Sequence, residues 1–404
     1  MSIPLGYPSQ PPGSVCRLTK SLYGLKHANR QWFEKLTTSL KSIGFKQSYI
    51  NTSLFTYING QQFTVLLVYV DDIILAGNNL FHMSNVKSHL DQAFNIKDLG
   101  ALHYYLGIEL FRNHNGLSLC QRKYTLELLS LAGVLDSKPV STPLEPSVKL
   151  EPNEGDLLPD PTLYRTLVGK LIYITITRPD ITYAAQALSQ FSHSPRTTHM
   201  KALLRTLRYL KLCPGQGMFF STAPSNSLIT YCDSDWASCN YSRRSVTGFT
   251  IFLGQSLISW QSKKQIVVYR SSTEAKYRAM ADTSYEISWL KCLLHELQVP
   301  VSTPTIIMCD NSSTISLTSN HVQHARTKHI EIDCYFVRDK IKQGLLLPKF
   351  VPSHAQVVDL LTKALPRHLH YNCLSKLAVC NPYSLPTCGG HNIIQESITE
   401  ENDH

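Results

Sequence analysis

The chain of 404 residues is poor in charge: 17% of it is Asp, Glu, Lys or Arg, where soluble domains carry roughly 25%. Together with 43% hydrophobic and 9% aromatic residues, that balance excludes a chain disordered throughout. Its 11 cysteines are odd in number and form no Cys-x-x-Cys pair, so neither a disulfide framework nor a paired-cysteine zinc site is expected. Unbridged thiols suit a reducing, intracellular compartment, with cytoplasm and nucleus both open. Met1-Ser-Ile-Pro-Leu-Gly-Tyr-Pro8 lacks the apolar run of a secretory signal. The most apolar stretch, 63–77, is short and holds Asp71 and Asp72, which excludes a membrane span. No repeat of fixed period occurs. What the chain does carry is a basic excess: 39 Lys and Arg against 29 Asp and Glu, a net +10. It is spread over the body and gives way to a slight acidic excess after 366. Such a field suits a polyanion partner and equally an ordinary basic protein.

At roughly 150 residues per domain, the length suggests two or three domains. The first dozen residues, rich in Pro and Gly, read as a loop or linker. Trp32, Leu36 and Leu40 recur at spacing four and predict a helix over 30–43. Apolar runs predict strands at 63–69 and 73–76, a helix at 83–94, and a strand pair, 104–111 and 117–121, around the turn 113–116. Pro139, Pro143, Pro146, Pro152, Pro159 and Pro161 mark 137–163 as a connector. Helical pattern runs from 164 to 212, interrupted at 178–180, and 214–226 reads as a loop. Then come strands 228–233, 246–253 and 257–261, a long helix 272–297, strand 305–310, helices 312–318 and 330–341, strand 346–351 and helix 356–364. That alternation predicts an α/β domain with a five-stranded mixed sheet flanked by helices. Boundaries are expected near 140, 227 and 365. Residues 366–404 lack periodicity and are expected to form a poorly ordered tail.

Two aspartates, Asp71 and Asp72, sit between two apolar strands. Asp tolerates the backbone angles of a hairpin turn, so an exposed turn accounts for them. The chemical alternative is a divalent-metal site, because magnesium prefers carboxylate oxygens and completes its shell with phosphates. Here Leu66-Leu-Val-Tyr-Val-Asp-Asp-Ile-Ile-Leu-Ala-Gly77 closely resembles the catalytic hairpin of reverse transcriptases of copia-type LTR retrotransposons. Lys20-Ser-Leu-Tyr-Gly-Leu-Lys-His-Ala-Asn-Arg-Gln-Trp32 is similar to the element preceding it, which helps form the nucleotide and template pocket, with Gly24 and Arg30 as contact candidates. His27 and Asn29 stand where that family usually has Gln and Pro. Lys97-Asp-Leu-Gly100 and Tyr105-Leu-Gly-Ile-Glu109 resemble its later palm elements. The resemblance implies a third carboxylate on a strand that would lie before Met1, since 1–10 resembles the loop after it. Asp71 and Asp72 are then metal ligands of an incomplete triad, and 1–140 reads as a truncated palm with the start of a thumb. This chain alone is not expected to polymerise DNA.

Asp233, Glu274, Asp310 and Asp359 fall at strand ends and helix starts of the predicted alternation. In an α/β fold these converge at one sheet edge, where four carboxylates repel unless cations neutralise them. Two-metal hydrolysis of a phosphodiester is the chemistry implied. A lone Glu in a helix's first turn is otherwise a partner for the helix dipole. Tyr231-Cys-Asp-Ser-Asp-Trp-Ala237, Ser271-Ser-Thr-Glu-Ala-Lys-Tyr277, Met308-Cys-Asp-Asn311 and Val351-Pro-Ser-His-Ala-Gln-Val-Val-Asp-Leu-Leu-Thr-Lys363 resemble the ribonuclease H domain attached to copia-type reverse transcriptases. The likeness spans 228–365. It implies Asp233, Glu274, Asp310 and Asp359 as catalytic, metal-holding residues, with Mg²⁺ or Mn²⁺ as cofactor. Lys276 replaces a usual acid, Thr314 a usual small residue and Val358 a usual alanine, and none of these removes an expected ligand. Asp235 is a lesser candidate, His354 reads as a surface loop residue, and Asp180 as a Pro-Asp helix start.

The implied partner is an RNA–DNA hybrid, or other nucleic acid, read through backbone shape and 2′-OH groups. Arg243, Arg244, Lys263, Lys264, Arg270, Arg326 and Lys328 are candidates to line its path. An upstream polymerase segment is a further implied partner, and a membrane is not. The reading is a copia-type Pol segment: truncated palm and thumb (1–140), connection (141–227), ribonuclease H domain (228–365) and tail (366–404). Its expected activity is metal-dependent hydrolysis of the RNA strand of a hybrid. A polymerase completed by an upstream segment, and a non-enzymatic nucleic-acid-binding remnant, stay open.

Overall fold

The structure, a computed structural model, describes residues 11, 14, 15, 25, 27–223, 225–319 and 330–383. The chain divides into two compact units: Met1–Gly100 with His295–Gln298, and Ala101–Leu294 with Val299–His404. The boundary expected near 140 is thus not where the units part.

Among its described residues the first unit forms a four-stranded antiparallel sheet with two helices. Its elements are α1 (Ala28–Ser42), β1 (Lys46–Gln47), β2 (Leu54–Asn59), β3 (Gln62–Tyr69), β4 (Asp72–Gly77) and α2 (Leu80–Phe94), with sheet order β1-β2-β3-β4. Leu36 and Leu40, the face expected from spacing four, are fully buried against Phe45, Phe55, Leu66 and Val68. The strand β3 alternates, turning Thr64, Leu66 and Val68 inward. The second helix starts before the expected residue 83, because the Asn79 side chain accepts the His82 N–H at 2.9 Å and caps it.

In the second unit β5 (Tyr104–Tyr105), β6 (Ile108–Asn113) and β7 (Gly116–Cys120) lead into α3 (Arg122–Leu131). After an irregular, proline-rich stretch come α4 (Thr162–Ile174), α5 (Thr182–Ser189) and α6 (Thr197–Leu212). These helices enclose a core of Leu128, Leu129, Tyr164, Leu167, Leu171, Leu203 and Leu207. The stretch read as a loop, 214–226, instead contains β8 (Gly217–Ser221), which pairs antiparallel with β7 through Leu119↔Met218. A pairing partner roughly a hundred residues earlier in the chain helps make so short an apolar run a strand.

The mixed sheet follows. It comprises β9 (Leu228–Asp235), β10 (Val246–Leu253), β11 (Ser256–Lys264), α7 (Ser272–Glu296), β12 (Thr305–Cys309), α8 (Ser312–Ser319), α9 (Glu331–Lys342) and β13 (Leu346–Phe350). The strand order is β11-β10-β9-β12-β13: the first three antiparallel, the last two joined parallel. The five-stranded mixed sheet is therefore as expected. One expected helix, 356–364, shrinks to α10 (Asp359–Thr362) after a 3-10 turn at Ser353–Ala355.

The tail needs correcting. Residues 367–380 are ordered as α11 (Arg367–Leu374) and β14 (Val379–Cys380). The latter strand completes the sheet β14-β8-β7-β6-β5. Cys373, Leu374, Leu377 and Val379 are buried with Met218, Phe252 and Leu257. A single short amphipathic helix and a two-residue strand leave too little periodicity to be seen in the sequence. Among the described residues no helix is long and apolar enough to cross a membrane.

Candidate functional site

The centre of the mixed sheet builds the site. β9 and β12 run parallel with Tyr231 opposite Met308. Two residues further along, on the same face, stand Asp233 and Asp310; their chain neighbours Cys232 and Cys309 lie in the opposite, apolar core. On β10, Gly248 is the partner of Asp233. A Cβ there would come within 2.7 Å of Val358 Cγ1 and 2.8 Å of Thr362 Cγ2. The missing side chain lets α10 lie against the sheet and brings Asp359, its first residue, to the same edge.

Asp233, Asp235, Asp310 and Asp359 line one open cleft of about 330 Å³, together with Ser234, Trp236, Ser272, Ser353 and two lysines, Lys276 and Lys363. Asp233 is almost completely buried; its Oδ2 accepts from the Thr362 hydroxyl at 3.3 Å. Ser353 Oγ donates to Asp310 Oδ2 at 3.3 Å. Lys363 pairs with Asp359 at 3.1 Å. Burial pushes the Asp359 carboxyl up to about 6, with Lys363 pulling the other way. Burial likewise raises Asp235, again opposed by Lys363.

The Lys276 ammonium takes the central position. Its Nζ donates to Asp233 Oδ1 at 2.5 Å and also to Asp310 Oδ1. Burial alone would lower this lysine, but the charges of Asp233 and Asp310 and its hydrogen bonds to both more than offset it. The ammonium is held above the ordinary lysine range.

Glu274 does not line the cleft. Its Oε2 accepts the Arg270 N–H at 3.1 Å, while its own N–H donates to Ser271 Oγ at 3.3 Å, an arrangement close to a capping box. Two residues apart on an α-helix are about 200° apart around its axis, so Glu274 and Lys276 cannot share a face. Here the face toward the carboxylates belongs to Lys276. Lys276 is a cleft residue that the sequence did not single out as a site candidate, although its departure from the family's usual acid was visible. The helical offset from Glu274 was the available signal.

The donor set suits a divalent cation, since hard carboxylate oxygens are what Mg²⁺ and Mn²⁺ prefer. Its occupancy does not suit one. The oxygens of Asp233 and Asp310 that face each other already share an ammonium proton donor, and Asp359 is paired with a second lysine. Among the described residues, no group of three or more His, Cys, Asp or Glu side chains is disposed to hold a metal ion. With Lys276 in this position, the residues do not fit the metal that the family resemblance implies.

The other candidates fall as follows. Asp71 and Asp72 are exposed, at the tip of the β3–β4 hairpin, where Tyr69 pairs with Asp72 and Val70 takes φ +50°. A β-branched residue in that region is strained, a feature that clusters at functional sites. Arg30 is exposed and paired with Glu34 at 2.9 Å. Arg243, Arg244, Lys263 and Arg270 are all exposed. Lys264 is committed to Gln190, Cys239 and Tyr241. His354 is exposed in its 3-10 turn. Asp180, far from a free helix-start acid, is a buried partner of Arg178 at 2.7 Å. Gly24, Arg326 and Lys328 lie outside the described residues, as do Lys20 to Gly24 of the nucleotide-pocket element.

Residues 1–146 match the family model described as reverse transcriptase (RNA-dependent DNA polymerase). The retrovirus-related Pol polyprotein from transposon RE2 of Arabidopsis thaliana is 44% identical over 95% of this chain and 27% of its own length. The chain thus spans about a quarter of that relative. The putative transposon Ty5-1 protein of Saccharomyces cerevisiae is 31% identical over 70% of this chain and 95% of its own. Among solved structures, the N-terminal RNase H domain of a Mycobacterium tuberculosis protein, fused to maltose-binding protein, aligns with 37% of this chain and 98% of its own. Its identity is 12% and its TM-score 0.26. On the sequence relatives, the chain belongs to the copia-type retrotransposon Pol polyprotein family.

Proposed function

We propose that residues 228–365 form a ribonuclease H-like module that binds RNA–DNA hybrids at the edge carrying the carboxylate cleft. One observation carries this reading: the sheet register puts the cleft and a run of basic residues at the same edge. Val246, where β10 starts, pairs with Asp235 at the end of β9 and with Lys264 at the end of β11. Arg243 and Arg244 come just before Val246, and Lys263 is the β11 partner of Thr247. Arg270 lies just before the cleft residue Ser272. A phosphate backbone following the rim would meet cations there, with hybrid geometry read across the minor groove. The mixed sheet order and the Asp233, Asp310 and Asp359 cleft support the ribonuclease H likeness.

Hydrolysis by Asp233, Glu274, Asp310 and Asp359 acting together is not the reading the geometry favours, because Glu274 caps its helix and Lys276 fills the centre. In the first unit Asp71 and Asp72 remain candidates for a polymerase-type metal pair. Among the described residues no third metal-binding side chain joins them.

The test is fluorescence anisotropy of labelled hybrid, duplex DNA and duplex RNA with the purified chain across a salt series. Hybrid should bind with a steep inverse salt dependence. Arg243→Ala with Arg244→Ala should weaken binding and make the log–log salt slope shallower by roughly 1 for each phosphate no longer neutralised. Hybrid affinity and slope unchanged in the double variant would rule out this surface.

A further inference from the structure

We infer that Lys276 is a built-in replacement for the divalent cation, so that this chain's ribonuclease H-like cleft is neutralised by its own ammonium group and binds hybrid without metal-dependent cleavage. The inference rests on the ribonuclease H-like reading for its substrate. Its physical content is confined to Lys276 and the carboxylates.

The geometry is that of a cation site with a lysine in it. Asp233 and Asp310 present one oxygen each toward a common point, and Lys276 Nζ occupies that point within hydrogen-bond distance of both. The remaining oxygens are also taken, by Thr362 on Asp233 and Ser353 on Asp310. A divalent ion bridging these carboxylates would have to expel the ammonium. The expelled lysine would leave a near-buried pair of anions for solvent while the ion took its place. The ammonium and the ion would also repel one another at close range and low local dielectric. Displacement is opposed further by the buried stem, since only 14% of the Lys276 side chain is exposed.

A surface lysine beside an acid would not support this claim. Three features do: the ammonium is shared by two carboxylates, one on β9 and one just past the end of the adjacent β12, it is largely buried, and the nearby Glu274 faces away. Lysine carries a single charge and no Lewis acidity, so it can hold the carboxylates in place but cannot activate a water molecule or stabilise a leaving oxygen as two ions do. What remains is a cleft whose shape is kept and whose chemistry is withheld.

The test uses the full chain and two variants, Lys276→Glu and Lys276→Ala. Mn²⁺ binding is titrated by calorimetry without nucleic acid, and hybrid binding and RNA-strand cleavage are measured separately. Wild type should take up no Mn²⁺ at the cleft and leave the hybrid intact. Lys276→Ala should bind Mn²⁺ at least about tenfold more tightly, because a repelling charge is gone. Lys276→Glu should bind tighter still and gain metal-dependent cleavage that Asp310→Asn abolishes. Lys276→Glu places another anion among the aspartates and could fold only with metal present, so Lys276→Ala, which adds no charge, carries the decision if it fails. Wild-type Mn²⁺ binding as tight as that of Lys276→Ala would overturn the inference, whatever the hybrid data show. Loss of hybrid binding by all three proteins would instead overturn the module reading, leaving the metal titration to judge Lys276.

Discussion

At the scale of single residues, two buried charge clusters among the described residues of the second unit differ in what they face, and the one around Lys276 faces a cleft of carboxylates. The other joins Arg178, Asp180, Tyr209 and His370. Arg178 holds Asp180 through two nitrogens, at 2.9 and 2.7 Å, and the Tyr209 hydroxyl donates to the same carboxylate at 2.6 Å. Tyr209 has spent its one proton on Asp180, so the His370 Nε2–H must donate to the Tyr209 oxygen, 2.9 Å away. Burial pushes the His370 imidazole down to about 4, with the Asp180 charge pulling against it. Its folded value therefore lies below the unfolded one, about 6.5. Between those values the unfolded chain binds a proton that the folded chain does not. Stability is then full above about pH 6.5 and lost as pH falls toward 4. Between about pH 7.5 and pH 5 this one group should cost about 2 kcal/mol. His370→Gln should flatten that part of the pH dependence in urea titrations, even if it lowers stability overall. Equal pH slopes for variant and wild type would show that His370 is not buried neutral. Asp180 shows how far sequence could reach: Pro-Asp reads as a helix start, and a short helix does start there. Its partners Tyr209 and His370 are distant in sequence, so nothing local announced the ion pair.

At the scale of elements, what the sequence could show was periodicity, and what it hid was pairing. The long helix, the strands of the mixed sheet and the Leu36–Leu40 face were readable because each buries a regular stripe or alternation. β8, α11 and β14 were not, because each is too short to show a period and is made regular by partners far away in sequence. The candidate site divides the same way. Asp233, Asp310 and Asp359 could be placed at one sheet edge by topology alone, whereas the choice between Glu274 and Lys276 needed the helix's rotation. Gly248 is the element-scale control on that site. Its Gly248→Ala variant would put a methyl carbon among Val358, Leu361 and Thr362, all buried. Because these belong to a short helix and its cap, packed on a buried strand, the expected cost is about 1–3 kcal/mol of overpacking, measured by denaturant unfolding. The same variant should shift α10 and with it Asp359, weakening the Lys363–Asp359 pair. A variant as stable as wild type would mean that α10 does not depend on this close approach.

At the scale of the whole chain, the two compact units cut across the divisions that family resemblance draws. β5 and β6 resemble late palm elements, yet they share a sheet with β8 and with β14, whose residues come after the carboxylate cleft in sequence. Residues 367–380 are therefore part of the second unit's core. Its buried Cys373, Leu374, Leu377 and Val379 pack beside Val357 and Leu360, which flank Asp359. His370 also contributes its hydrogen bond to the Arg178–Asp180–Tyr209 cluster. Removing the segment would forfeit the burial of several apolar side chains worth roughly 1.5–3 kcal/mol each and leave β8 with an unpaired edge. A chain ending at residue 365 should thus lose on the order of 5 kcal/mol or more relative to one ending at 383, enough to unfold a domain of ordinary stability. Urea unfolding followed by tryptophan fluorescence would read this directly, since Trp236, Trp260 and Trp289 all lie in the second unit. The chain ending at 365 should be insoluble or unfold at much lower urea than the one ending at 383. Equal midpoints for the two would show that α11 and β14 only decorate the sheet, and that the second unit is closed without them.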